Sequence, residues 1–286
     1  RPRRPVRVRF GCRCEDVAVA PADPDQVDSA VGEIVDELRV LADPERAVGE
    51  KAYLKSSYDH LGVRVPARRK VATTWLRADG PPRDLDLVRA VAEALWTGNC
   101  YERRGAAVDL LEAVSSPPRR RRHRRADQTD GAEETATVLG PDDLGLVERW
   151  VRDAHTWALV DPLAHGIAGR ILTAAPGAEA TWTDRWRADD DFWVRRSSVL
   201  CLSRPIRAGV VGFDRFETIT APMLGEREFF IRKAIGWVLR EIGRDTPADV
   251  ATYCDAHVEQ MSGVTWREAR KVLDPALVAT LETRRR

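Results

Sequence analysis

Apolar residues recur at three-to-four spacing through almost the whole chain, and no good alternating run flanked by hairpin turns competes with them. The first such segment carries Val31, Ile34, Val35, Leu38 and Leu41, with Asp28 or Ser29 available as its N-cap. Similar segments follow at roughly 46–58, 66–78, 84–97, 101–114, 141–154, 162–174, 177–187, 191–203, 209–220, 228–243, 247–260 and 264–273. The expected fold class is therefore all-α.

A weak internal echo narrows that class. Trp150-Val151, Trp193-Val194 and Trp237-Val238 share a dipeptide and fall 43 and 44 residues apart. Helical-pair repeats of the HEAT class run about 40–47 residues. The expectation is an α-solenoid of HEAT-like helical repeats, stacked so that the array curves into a concave binding face.

Two stretches interrupt the pattern. Residues 1–25 are rich in Arg and Pro and read as a flexible N-terminal tail. Residues 115–137, SSPPRRRRHRRADQTDGAEETAT, join prolines, a basic block and a polar acidic run, a composition that builds no packed core. They read as a mobile insertion within a single repeat domain over 26–286. The basic block Arg119–Arg125 can touch phosphates or serve as a solvated loop.

The net charge of +1 does not announce a nucleic-acid partner. The type of charge is more telling, since only five of the 46 basic residues are lysines. Arginine suits bidentate phosphate contacts and stacking on rings, although a GC-rich genome gives the same bias. The five cysteines are odd in number and irregular in spacing. Cys12 and Cys14 are too close for an ordinary zinc half-site, so free thiols in a reducing compartment and no metal are expected. No apolar run approaches the roughly 18 residues of a membrane span, and the basic N-terminus lacks a long apolar region. A cytoplasmic monomer away from membranes is the expectation.

Five segments carry a resemblance. They are Lys51-Ala-Tyr53-Leu-Lys55 with Leu61-Gly62 and Pro66-Ala-Arg68-Arg69; Leu95-Trp96 with Tyr101-Glu102-Arg103; Trp157-Ala-Leu-Val-Asp161; Trp193-Val-Arg-Arg196; and Glu228-Phe-Phe-Ile-Arg-Lys233-Ala-Ile-Gly-Trp237-Val-Leu-Arg240-Glu241. Together they span about residues 50 to 272, and the last is the most specific. The chain resembles the DNA alkylation repair family, the AlkD-like alkylpurine DNA glycosylases. That resemblance implies a HEAT-like solenoid that acts on duplex DNA and excises cationic N3- and N7-alkylpurines without a cofactor. It implies a site formed by Trp157, Asp161 and Trp237, with Arg196 and Tyr53 near the DNA. Lys233 and Arg240 flank Trp237 by about one helical turn and are further candidates for phosphate contact. The resemblance also implies that lesions are processed while stacked, rather than flipped into a pocket.

The chemistry suits these residue types. An N3- or N7-alkylated purine already carries positive charge and leaves as a neutral base, so no general acid is required. The enzyme must stabilise positive charge arriving on the sugar. A fixed carboxylate, Asp161, does so and can position or deprotonate the attacking water. Aromatic faces attract cations by roughly 0.5–2 kcal/mol each, a role open to Trp157 and Trp237. Arg196 can hold the adjacent phosphate by a charge-assisted bond.

Structural roles compete with each assignment. Asp161 precedes Pro162, and Asp-Pro is a common helix start, so Asp161 also reads as an N-cap. Arg196 also reads as one half of an ion pair with Asp189, Asp190 or Asp191. Trp150, Trp182, Trp186 and Trp266 read as core, Trp193 as packing, and His155 and His165 as bystanders. Thr156 stands where family members often carry an aromatic, and Ala158 where they often carry an acid. Two other functions remain open. One is a non-catalytic repeat protein that binds branched or bent DNA, and the other is a protein-binding solenoid. Within the glycosylase reading, general repair and self-resistance to a DNA-alkylating natural product are both open.

Overall fold

A computed structural model describes residues 22–78, 84–115 and 138–285. The expected tail and insertion lie almost wholly outside the described residues, as does the basic block at 119–125. The elements in chain order are α1 (Pro24–Val40), α2 (Pro44–Leu54), α3 (Val65–Arg77), α4 (Leu85–Trp96), α5 (Tyr101–Val114), α6 (Leu144–Ala154), α7 (Trp157–Asp161) and α8 (Gly169–Ala174). There follow α9 (Glu179–Arg187), α10 (Phe192–Leu200), α11 (Ser203–Arg207), α12 (Phe213–Thr220), α13 (Phe229–Ile242), α14 (Pro247–His257), α15 (Gly263–Ala269) and α16 (Pro275–Arg284). Among the described residues there is no strand, only an isolated bridge between Asp59 and Cys100. The chain is all-α, as its periodicity predicts.

Each helix packs mainly on near neighbours in sequence: α4 on α5, α3 on α5, α9 on α10, α10 on α13 and α13 on α15. This is the construction of an α-solenoid. The Trp-Val echo falls on α6, α10 and α13, and α10 touches both of the others. Val151, Val194 and Val238 are all buried. The tryptophans occupy different turns of their helices, late in α6, early in α10 and central in α13. The echo therefore marks helices that meet through α10 without marking equivalent positions within them.

Several boundaries differ from expectation, and caps explain them. Asp23, not Asp28 or Ser29, caps α1 by accepting from the Asp25 amide, and Pro24 takes the first helical position. Proline there loses no internal hydrogen bond. The same Asp-Pro device starts α2 at Asp43-Pro44 and α16 at Asp274-Pro275, a helix the sequence reading omitted. Leu41 ends α1 and is exposed, so it does not belong to the core.

Trp150, Trp186, Trp193 and Trp266 are buried, as core residues should be, and Trp182 is half-buried against the same core. Trp96 and Trp150 stack at 4.4 Å, locking α4 to α6. Cys100, Cys201 and Cys254 are free thiols. No helix among the described residues is long and apolar enough to cross a membrane.

Candidate functional site

The fourth Asp-Pro pair behaves differently. Asp161 is the last residue of α7, with helical backbone angles and no capping bond of its own. The helix is started instead by Thr156, which accepts from the Ala158 amide. Thr156, the residue that replaces the family aromatic, thus has a local task. His155 just before it adopts a left-handed φ of 47° and ends α6, which lets the chain turn into α7. The cap reading of Asp161 is corrected, and its carboxylate is free for a partner elsewhere.

Pro162 opens a stretch of π-helix, Pro162–Ala168, between α7 and α8. A proline inside a helix removes a hydrogen bond and crowds the preceding turn. A wider turn relieves that crowding, and π-bulges are frequent at functional sites.

The partner of Asp161 is Arg196 of α10. Its Nε donates to Oδ1 at 2.8 Å and its Nη2 to Oδ2 at 2.9 Å, a bidentate fork. Its Nη1 donates to the Phe230 carbonyl of α13, and the guanidinium lies 5.9 Å from the Phe230 ring centroid. The Arg196 side chain is 3% exposed and that of Asp161 is 19% exposed. The expected ion pair with residues 189–191 is not formed by Arg196: Asp189 binds Arg152, and Asp191 caps α10.

The other expected residues lie on α7, α2 and α13. Trp157 begins the turn that Asp161 ends, and the Tyr53 ring meets Trp157 edge-on at 6.2 Å. Tyr53 is 74% exposed. Trp237, half-buried on α13, lies 5.4 Å from the ring of His165 in the π-helical stretch. His165, expected to be a bystander near the Trp157–Asp161 pair, packs instead on Trp237. Burial, with Arg204 next, lowers its pKa to about 4, so it is a neutral ring at pH 7. Lys233 and Arg240 are not free cations, because both bind Glu268 of α15, which also accepts from Lys271 at 2.8 Å. Burial pushes the Glu268 carboxyl up, but the lysine hydrogen bonds and the Arg240 charge outweigh it and hold it at about 2.

A cleft of about 800 Å³ opens beside Trp157 and Tyr53, walled by Arg46, Glu50, Arg68 and Tyr101 among others. Arg68 is anchored from beneath by Asp109, with Nε to Oδ2 at 2.7 Å. Gly105 makes room for it, since a Cβ there would stand 2.1 Å from Arg68 Nη1. Arg68, Tyr101 and Glu102 lie in the matching segments without an expected task. Glu50 and His60 carry no local signal in the sequence, because they come from α2 and from the loop after it and meet only in the fold.

A Trp-xxx-Asp turn, a buried arginine and a second tryptophan on helices in contact with one another mark a candidate site on a helical-repeat protein. A family model described as DNA alkylation repair enzyme matches residues 34–273. The chain belongs to that family. A solved structure described as a predicted DNA alkylation repair enzyme from Enterococcus faecalis is similar at 20% identity and a TM-score of 0.65. The likeness covers 82% of this chain and 97% of that one. No curated protein matches the chain.

Proposed function

We propose that the protein is a DNA glycosylase that hydrolyses the N-glycosidic bond of cationic N3- and N7-alkylpurines in duplex DNA. The observation that carries this reading is the carboxylate of Asp161, held in a fixed orientation by the Arg196 fork. A carboxylate facing DNA repels phosphates. In a protein that only binds DNA it would serve the fold alone, as the counter-charge of Arg196. An enzyme gains from it when positive charge develops on the sugar, which is an interaction made in the transition state.

In the proposed reaction the bond between C1′ and the purine nitrogen breaks, and its electron pair neutralises the alkylated ring. Water adds to C1′ and gives its proton to Asp161 or to solvent. Trp157 and Trp237 flank the cationic sugar and base with aromatic faces, and Tyr53 extends that surface. Arg196 acts first as the positioning residue of Asp161. Three of its N–H groups are committed to Asp161 and Phe230, so a phosphate contact uses the remaining ones. Lys233 and Arg240 reach phosphate by exchanging Glu268 for it. Helices α7, α10 and α13 present these groups within a HEAT-like array. General repair and self-resistance to an alkylating natural product call for the same chemistry.

The test is base release from methylated duplex DNA by the wild type and by Asp161→Asn. The wild type is expected to free 3-methyladenine or 7-methylguanine, and the variant to bind DNA while releasing far less. A wild type that binds DNA but frees no alkylpurine gives way to the non-catalytic reading.

A further inference from the structure

We propose that Glu50, His60 and Glu102 form a binding site for one divalent transition-metal ion of the zinc class in the wall of the cleft. The site unites α2, the loop before α3, and α5. The ligand atoms of the three residues lie within 4.8 Å of one another.

His60 is the first reason. Its side chain is 1% exposed and its ring stacks on Tyr101 at 4.6 Å, yet neither ring nitrogen has a hydrogen-bond partner. A buried imidazole with two orphaned nitrogens is costly unless something binds them. Glu50 is the second. Its Oε1 accepts from Arg46 at 3.2 Å, while its Oε2 is buried without a hydrogen bond. The two orphans, His60 Nδ1 and Glu50 Oε2, stand 3.6 Å apart. That is too long for a hydrogen bond. Two ligands bound to a tetrahedral zinc at about 2.0–2.2 Å stand about 3.3–3.6 Å apart, which is the spacing seen.

Glu102 supplies the third ligand and arrives already oriented. It is fully buried, and its carboxylate accepts from the backbone amides of Leu61, Gly62 and Val63. Its Oε2 takes the Leu61 amide and a long contact from the Cys100 thiol, and a cation takes the second lone pair by displacing that weak thiol contact. Outer hydrogen bonds of this kind fix ligand orientation in metal sites. Glu50 and Tyr101 both line the cleft, so water can fill a fourth position from that side. The bound ion would tie α2 to α5 beside Tyr53 and Trp157. The sequence expectation of no metal rested on ligand spacing along the chain, and these three residues meet only in the fold.

The experiment needs no DNA, so its failure is separate from failure of the glycosylase reading. The full chain, stripped with chelator and free of any tag, is titrated with zinc by calorimetry and with cobalt by visible absorption. One equivalent is expected to bind at micromolar or tighter affinity, with a four-coordinate cobalt spectrum and a zinc-dependent rise in melting temperature. Glu50→Gln and His60→Gln should each weaken binding at least tenfold and abolish the rise. Glu50→Asp keeps the charge but shortens the ligand, and should weaken zinc even where a larger substitution perturbs folding. His257→Gln, at the separate His257–Glu217 contact, should leave binding unchanged. No saturable binding, or binding unaltered by the Glu50 and His60 variants, overturns the proposal.

Discussion

Arg196 grips both oxygens of Asp161 across the gap between α10 and α7 while its third nitrogen holds the Phe230 carbonyl of α13. Three helices that are distant in sequence thereby fix one carboxylate. Asp161→Asn keeps the shape and loses the charge. We expect base release to fall on the order of 10²–10³-fold, the scale on which a lost transition-state electrostatic contact is felt. Duplex affinity should hold or rise. Single-turnover rates with filter binding check both, and an unchanged rate would remove Asp161 from the chemistry.

Removing the other partner should cost more in stability. Arg196→Ala leaves the Asp161 carboxylate without its counter-charge in a largely buried setting. Breaking such a pair costs about 3–5 kcal/mol, a melting shift of roughly 5–8 °C for a chain of this size. Arg196→Lys restores a charge but not the fork, and should recover only part of it. The slope of duplex affinity against salt decides whether Arg196 also touches phosphate. A loss of about 0.9 in slope means that it does, and no loss means that it acts on Asp161 alone.

His165 should make the fold acid-sensitive. Its folded pKa is lowered from 6.5 to about 4, whereas the unfolded chain takes up the proton near 6.5. The unfolded state therefore binds more protons between these values, and stability rises with pH there. This contribution is fully present above about pH 6.5 and is lost as pH falls towards 4. His165→Gln should flatten the melting temperature over that window. A wild-type melting temperature that is constant from pH 6.5 to 4 contradicts it.

Glu268 acts at lower pH and also competes with DNA. Its folded pKa of about 2 lies below the ordinary 4.5, so its contribution is present above 4.5 and lost as pH falls towards 2. Glu268→Gln weakens its hold on Lys233 and Arg240. If these cations meet phosphates, the variant should bind duplex DNA more tightly and with a steeper salt dependence, despite lower stability. A salt slope equal to that of the wild type places both cations away from the backbone.

Close packing beside Trp237 gives a last expectation. At Gly236 a Cβ would lie 2.8 Å from the Thr265 carbonyl and 2.9 Å from Glu268 Cβ. Gly236→Ala should push α15 from α13 and cost about 1–3 kcal/mol, read as a lower denaturation midpoint.

The sequence was strongest where local chemistry decides. Spacing of apolar residues placed most helices within a few residues, and α5 from end to end. It was weaker at caps. Asp-Pro at 23–24, 43–44 and 274–275 starts a helix, but the same dipeptide at 161–162 lies inside one. The difference is set upstream, where His155 and Thr156 have already ended one helix and begun the next. Dipeptide preference cannot register an earlier cap.

By itself the sequence determined the all-α class, the core tryptophans and the residues worth watching, because these follow from periodicity, burial preference and a specific run of side chains around Trp237. Only the tertiary structure decided what those side chains are bound to. It paired Arg196 with Asp161 rather than with its sequence neighbours, spent Lys233 and Arg240 on Glu268, and joined Glu50, His60 and Glu102 beside the cleft. The physical reason is distance. Helix formation is governed by residues within a few positions of one another, whereas ion pairs and ligand sets are made across helices that meet only when their apolar faces pack.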